Sequence, residues 1–342
     1  MTAPLPRRVR WSLAVGLLLL APVCAEYLVG YDTSTGDPVA LLGGLLILGP
    51  LYGAPALLIR EVARRTRMRW PGIVALSAAF GIVQAGVVDQ SLFSASYRQI
   101  DGWSALVEPT LVAPLGFSVY GAMSFVVGHV IWSFCIPIAL VEALHPPSSG
   151  RPWLRRPGLV VVTVLYLAAA ALILSEHLAT ELDHASSAQI AGALATAALL
   201  VAAAATVGRR EQPARDTSVP RPVVVGLLAT VAAFAFNAVP PSWTGTLTGL
   251  TVLAATSVGT VRLSWSRRWS GRHVVALATG ALMAKTLIGF LAEPLGDVAP
   301  LAKYAHNTVF LVGSLALGVW AARRRSTCRS STALPCGTAG VD

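Results

Sequence analysis

Apolar runs of about 17–25 residues, divided by short polar stretches, recur along the whole chain. A run of that length is what an α-helix needs to cross about 30 Å of hydrocarbon at 1.5 Å per residue. The runs fall near residues 11–29, 39–59, 70–88, 116–143, 158–175, 188–207, 222–240, 245–261, 273–292 and 304–322. They predict an all-α fold: a polytopic membrane helix bundle of about ten transmembrane helices, with residues 1–322 as one transmembrane domain. Trp11, Trp70, Trp243, Trp265, Trp269 and Trp320 lie at or near the ends of these runs, where an amphipathic indole prefers to sit.

Three stretches depart from the simple pattern. Asp89 to about Leu115 contains Leu92, Phe93, Tyr97, Trp103, Leu106 and Val107. It is too polar to span and too apolar for a bare linker, which leaves an interfacial helix or lid on one side and ordinary loop packing on the other. The second run reads Gly49-Pro50-Leu51-Tyr52-Gly53-Ala54-Pro55. Two prolines remove two backbone donors, so this helix is expected to kink or break. A broken helix at mid-depth frees backbone groups for ligands, as in many transporters; a packing kink with Gly49 and Gly53 as a close-contact face is the competing reading. Residues 323–342, rich in Ser, Thr, Gly and Cys, read as a disordered cytoplasmic tail.

Charge sets the orientation. Of 26 Lys and Arg, 23 fall in six clusters: Arg7–Arg10, Arg60–Arg69, Arg151–Arg156, Arg209–Arg221, Arg262–Arg272 and Arg323–Arg329. Between consecutive clusters there is room for two crossings and one loop nearly free of positive charge. Short basic loops stay in the cytoplasm, so both termini are expected there, in the inner membrane of a bacterial cell. Two Lys against 24 Arg fits a GC-rich bacterial genome. The net charge of +10 is spread over loops that flank apolar spans. It is therefore read as a match to anionic lipid headgroups and not as a nucleic-acid footprint. Arg7–Arg10 followed by an apolar core and Val23-Cys24-Ala25 also resembles a cleavable secretory signal; cleavage would leave nine spans.

Polar groups inside spans are the default pointers to function, because hydrocarbon penalises them. Lys285 lies about 12 residues, roughly 18 Å, from the inner end of its span. Gln84 and His129 come out at a similar depth, and Glu26, Asp89, Asn237, Glu293, His306 and Asn307 lie nearer the outer surface. The inner halves of the spans read as nearly bare, a distribution that suits a cavity opening outward. The candidate substrate path is thus Lys285, His129, Gln84, Glu26, Asp89 and Glu293. The alternatives are a snorkelling or structurally paired Lys285, a hydrogen-bonded packing His129 and an interhelical Gln84. Arg60-Glu61 with Arg64 and Arg65 reads as a solvated helix end. The four cysteines show no CxxC or Cys/His spacing, and no nucleotide-binding loop, redox motif or metal site is recognised, so no cofactor is expected.

Gly49-Pro50-Leu51-Tyr52-Gly53, Leu57-Leu58-Ile59-Arg60-Glu61-Val62, Asp89-Gln90-Ser91-Leu92-Phe93 and His129-Val130-Ile131-Trp132-Ser133, with Pro137 and Glu142 behind, resemble a poorly characterised group of multi-span membrane proteins from actinobacteria. In that group a pair of glutamates commonly stands where this chain has Gln84-Ala85. Phe125-Val126-Val127-Gly128-His129 is also similar to the Phe-x-x-x-His motif of CAAX-type intramembrane proteases. Here their Glu-Glu pair is missing at Gln84-Ala85, and His306 is followed four residues later by Phe310, not by Asn or Asp. That similarity implies a shared fold whose hydrolytic chemistry is lost, since glutamine cannot act as a general base. The first functional expectation is small-solute transport or binding through an outward-opening polar site, with Lys285 holding an anionic group and His129 coupling protons. A membrane-embedded enzyme, or inactive relative, acting on lipid or membrane substrates is the second, and an accessory membrane subunit the third.

Overall fold

The computed structural model describes residues 5–330, and side chains through Arg325. Ten helices answer the ten apolar runs: α1 Arg7–Tyr27, α2 Pro38–Arg65, α3 Trp70–Val88, α4 Val119–Leu144, α5 Arg156–Thr180, α6 Ser187–Val207, α7 Pro222–Asn237, α8 Trp243–Ser264, α9 Gly271–Gly289 and α10 Pro300–Ser330. Eight of them are long and apolar enough to cross a membrane, and α7 is a shorter apolar helix. The protein is an all-α, multi-pass membrane bundle.

Most helix ends are written in the local sequence. Asp37 caps α2 by accepting from the amides of Val39 and Ala40, with Pro38 at the first helical position. Ser186, Ser242 and Ser118 cap α6, α8 and α4. The fourth span starts at Val119, later than 116, because Phe117–Ser118 pairs with Leu111–Val112 in a two-residue antiparallel ribbon. The last helix runs beyond the expected end at 322, with Arg324 over the Trp320 ring one turn back. The rest of the expected tail, 331–342, lies outside the described residues.

The helices are not equally buried. In α2, α3 and α4 half or more of the apolar window is inside the protein, against 17% in α5 and α6 and 11% in α8. The exposed surface of the outer helices is aliphatic, with Val160, Leu167, Leu199, Val223 and Leu247 all outward, as helices facing lipid should be. One core joins α1, α2, α3, α4 and α5 around Leu17, Leu57, Ile73, Phe134 and Ile138; a second joins the end of α1 and a second face of α4 to α7, α9 and α10 around Leu140, Phe236 and Leu282. Small residues let backbones meet. Gly280 of α9 lies against the Gly226 carbonyl of α7, and Thr230 bonds the Gly280 carbonyl; Gly72 of α3 lies against Gly208 just past α6.

Contacts tie all six arginine clusters into one face. Arg10 reaches the Trp153 carbonyl, Arg60 and Arg65 reach the carbonyls of Arg151 and Leu154, and the Arg69 amide bonds Gly208. Arg215 and Arg267 pair through their backbones, and Arg325 packs on Gly271. The intervening loops, nearly free of positive charge and holding Asp32, Asp37, Glu181, Asp183 and Asp297, lie at the opposite ends of the helices and so on the opposite face.

The segment from Asp89 to Leu115 folds as a compact cover on that opposite face. Trp103 stacks flat on Phe125 of α4 at 5.5 Å and lies tilted against Tyr97 at 4.9 Å, and its indole N–H donates to the Ser94 carbonyl. Asp183, from the loop after α5, accepts from the Ser94 hydroxyl and from the amides of Ala95 and Ser96. Gln90, Arg98 and Gln99 hold left-handed backbone, φ 55°, 50° and 49°, a strained conformation for residues with a Cβ.

Candidate functional site

Four of the ten helices contain a π-helical turn, and all four are the first four: Val23–Tyr27, Gly49–Gly53, Gln84–Val88 and His129–Cys135. A π turn inserts one residue and bonds i to i+5, as in the Asp89 amide to Gln84 carbonyl bond at 3.0 Å. The local widening re-aims side chains and is found often at functional sites. In α2 the cause is plain: Pro50 and Pro55 each delete an amide, and the chain bridges the gap with a wide turn. The expected break is therefore absent, since α2 continues through Pro55 to Arg65. The close-contact reading holds as well. A Cβ on Gly53 would fall 2.2 Å from the Leu18 carbonyl of α1.

The turns of α1, α2 and α4 meet, α3 packs against that of α4, and together they bring most of the expected polar residues close to one another. Glu26 accepts the Tyr31 hydroxyl and faces the Tyr52 hydroxyl. Tyr52 stacks on His129 at 5.8 Å, and His129 Nδ1 lies 3.2 Å from the Ser133 hydroxyl. Gln84 donates to Asp89 at 3.4 Å, and Asp89 also accepts from the Ser91 amide at 2.9 Å. Lys285 of α9 sits with its amine 4.9 Å from the Trp132 ring centre, and Glu26 is the carboxylate whose field it feels. Among the described residues Lys285 has no ion pair. Outside the spans, burial pushes the Asp89 carboxyl up to about 6, against the pull of Ser91 and Gln84 and with the help of Glu26. The Glu26 carboxylate holds the Tyr31 hydroxyl well above its ordinary value, and burial does the same for Tyr97.

Three outer groups serve the scaffold, of which His306 and Asn307 are expected near the outer surface. Lys303 donates to the carbonyls of Val29 and Gly30. His306 donates from Nε2 to the Tyr27 carbonyl at 2.7 Å and accepts the Gly36 amide on Nδ1, so both ring nitrogens are engaged. Asn307 donates to the Gly289 carbonyl. Together they clasp the α1–α2 loop onto α9 and α10. Glu293 is exposed beyond the end of α9. Among the described residues no group of three or more His, Cys, Asp and Glu is placed to hold a metal ion.

A second polar constellation contradicts the solvated helix end expected at Arg60-Glu61. Arg60 and Glu61 are both 0% exposed. Arg60 pairs with Glu61 at 2.7 Å and with Glu142 of α4 at 3.1 Å, and Arg64 grips both Glu142 oxygens at 2.7 and 2.6 Å. The remaining Arg60 donors go to the carbonyls of Ser148, Ser149 and Arg151, and Trp153 covers its guanidinium at 3.4 Å. The amides of Trp153 and Leu154 cap Glu61. The residues that end α2 fold inward because the Pro146–Leu154 loop closes over them. One sequence signal pointed here: Glu142 lies inside the fourth apolar run and Arg60 one residue past the second.

No curated protein and no solved structure matches the sequence. A family model does match, from residue 16 to 327. It covers both constellations and every helix between them, and by that match the chain belongs to an uncharacterised membrane protein family.

Proposed function

We propose that this protein carries a small solute across the bacterial cell membrane, with the arginine-bearing face in the cytoplasm. One observation carries the reading. An amine, Lys285, and a carboxylate, Glu26, share a polar cluster in the outer half of the bundle without pairing with each other; the amine rests on an indole ring and the carboxylate on a tyrosine hydroxyl. Opposite charges kept near one another in a membrane interior, neither of them in an ion pair among the described residues, leave both available to a ligand. A solute with an anionic group would meet Lys285. One that also carries an amine would meet Glu26 and Asp89, and those two carboxyls are better placed than His129, stacked between Tyr52 and Phe134, to exchange protons.

Below the cluster the protein is closed. Tyr52 and Arg60 are eight positions apart, about 12 Å along the helix. Leu57, Ile59, Phe134 and Ile138 fill that interval, all at most 2% exposed.

The test is side-specific thiol labelling of Lys285→Cys after replacing the four native cysteines. An impermeant reagent is applied to whole cells and to inverted vesicles. Carriage requires reaction from both sides. Reaction from outside alone would make the cluster a receptor or enzyme pocket, and silence from both sides would make Lys285 a structural tie.

A further inference from the structure

Two tyrosines from different parts of the chain meet at Glu26, on the outer side of the Lys285 cluster. Tyr31 stands on the α1–α2 loop with its hydroxyl on the Glu26 carboxylate. That side is fixed. Lys303 and His306 bond the loop to α10, and the Leu295 amide donates to the Tyr31 carbonyl at 2.6 Å. Tyr97 stands on the Asp89–Leu115 cover. Burial raises its hydroxyl, and the charges of Asp89 and then Glu26 add to the rise, so it lies within reach of both carboxylates. Glu26 acts first on the Tyr31 hydroxyl, and Tyr97 contributes as well.

Stacking holds the cover over this point. Its Trp103 lies on Phe125 of α4, four positions outward of His129. Tyr97 packs against Trp103 at 4.9 Å and against His177 of α5 at 6.4 Å. Asp89, where the cover begins, belongs to the cluster itself through Gln84.

The stretch from 91 to 97 is bounded by left-handed backbone, Gln90 before it and Arg98 and Gln99 after it. Residues with a Cβ keep that conformation only where their surroundings impose it. Here the loop between α5 and α6 does so. Glu181 accepts the Arg98 amide at 3.0 Å, and Asp183 takes the Ser94 hydroxyl and the Ala95 and Ser96 amides. The Ala185 amide donates to the Gln90 side chain at 2.6 Å. The bonds to Ala95, Ser96 and Arg98 are exposed, so water competes for both partners. A strained strap fastened by exposed bonds opens at low cost compared with the packed helices beneath it.

We propose that the Asp89–Leu115 cover is the outer gate of the Lys285 cluster, with Tyr97 closing against the Tyr31 side and residues 181–185 as its latch. The gate rests on the reading that a solute reaches this cluster from outside, and it names the part that moves. The Tyr31 side cannot yield without breaking its bonds to α10, whereas the cover yields when Asp183 lets go.

The experiment uses the full chain in whole cells and inverted vesicles, with Lys285→Cys in the background free of native cysteines as the parent. The rate of reaction with an impermeant maleimide is measured from each side. Asp183→Ala removes the latch carboxylate. Tyr97→Ala removes the ring, and Tyr97→Phe keeps it. Asp297→Ala removes an exposed carboxylate of the α9–α10 loop and corrects for the charge that the reagent meets.

Asp183→Ala should raise the outer rate at least about tenfold, the shift that one lost charge-assisted hydrogen bond produces in an opening equilibrium. Tyr97→Ala should raise it comparably, while Tyr97→Phe and Asp297→Ala stay within about twofold of the parent. The inner rate should be equal or reduced. Melting curves show which variants fold, and should Asp183→Ala fail to fold, the two Tyr97 variants decide. An outer rate at the control level in Tyr97→Ala, or in a folded Asp183→Ala, overturns the proposal. So does an equal rise from the inner side, or a Tyr97→Phe variant as fast as Tyr97→Ala. Carriage is read separately, from the inner rate of the parent: silence there ends that reading and leaves the gate to the outer rates.

Discussion

At the scale of single residues, burial separates groups that the sequence presents alike. Arg60 and Arg67 sit in one basic run, yet Arg60 is fully enclosed and Arg67 is exposed. Replacing Arg60 by Met leaves Glu61 without a guanidinium partner at 2.7 Å and Glu142 with only Arg64. Removing one member of a buried ionic network typically costs about 3–5 kcal/mol. Arg60→Met should therefore lower the melting temperature sharply, whereas Arg67→Asn should leave it within a degree or two. Equal effects would show that the network contributes little. Asp89 gives a test through pH. Its carboxyl titrates near 3.8 when unfolded and about 6 when folded. Between those values the folded chain binds more protons, so its contribution to stability is full below 3.8 and is lost as pH rises through 6. The upper bound on the loss is about 3 kcal/mol. Asp89→Asn should flatten that part of the stability profile, and an unchanged profile would place the titration elsewhere. The sequence made Lys285, Gln84 and Glu26 legible as polar intrusions in apolar runs. It did not reveal Tyr52, Tyr31 or Trp132, because an aromatic near a span end is ordinary until its neighbours are known. Nor did it reveal the network, since a helix end beside a basic loop resembles a solvated one until the Pro146–Leu154 loop folds over it.

At the scale of helices, hydropathy fixed position well because span length is set by the membrane and needs no tertiary information. The expected runs at 70–88 and 188–207 coincide with α3 and α6. Internal geometry was another matter. Two prolines announced trouble in α2, and Pro137 follows the His129–Cys135 turn of α4 as Pro55 follows that of α2, but no proline lies in or beside Gln84–Val88 of α3, so that wide turn comes from packing and not from a missing amide. The glycines of α2 separate the two kinds of cause. Gly53 lies against the α1 backbone, whereas a Cβ at Gly43 would meet nothing within 4 Å. Gly53→Ala forces α1 and α2 apart and should destabilise the fold by about 1–3 kcal/mol, while Gly43→Ala, in the same helix and facing outward, should be neutral or slightly stabilising. Thermal unfolding of the two variants in one detergent decides. If they behave alike, the close approach of α1 and α2 at Gly53 contributes little to stability.

At the scale of the whole molecule, α2 and α4 are the helices that matter most, because each carries a π turn of the outer cluster at one level and a member of the ion network at another. His129 and Glu142 are thirteen positions apart on α4, about 20 Å, with Phe134 and Ile138 packed between them. A movement that opened the inner face would have to part Arg60 and Arg64 from Glu142 and slide this apolar plug, while the Lys303, His306 and Asn307 clasp kept the α1–α2 loop fixed outside. Loosening the network should therefore bias the protein toward the inner side without dismantling the outer site. In a Lys285→Cys background, adding Glu142→Gln should raise labelling from inverted vesicles severalfold and leave labelling from whole cells equal or reduced. General loosening would raise both, and a melting curve separates that case from a shift between two folded states. If inner labelling stays flat while the protein remains folded, the network is a structural lock, and the path from Lys285 to the cytoplasm does not pass between α2 and α4.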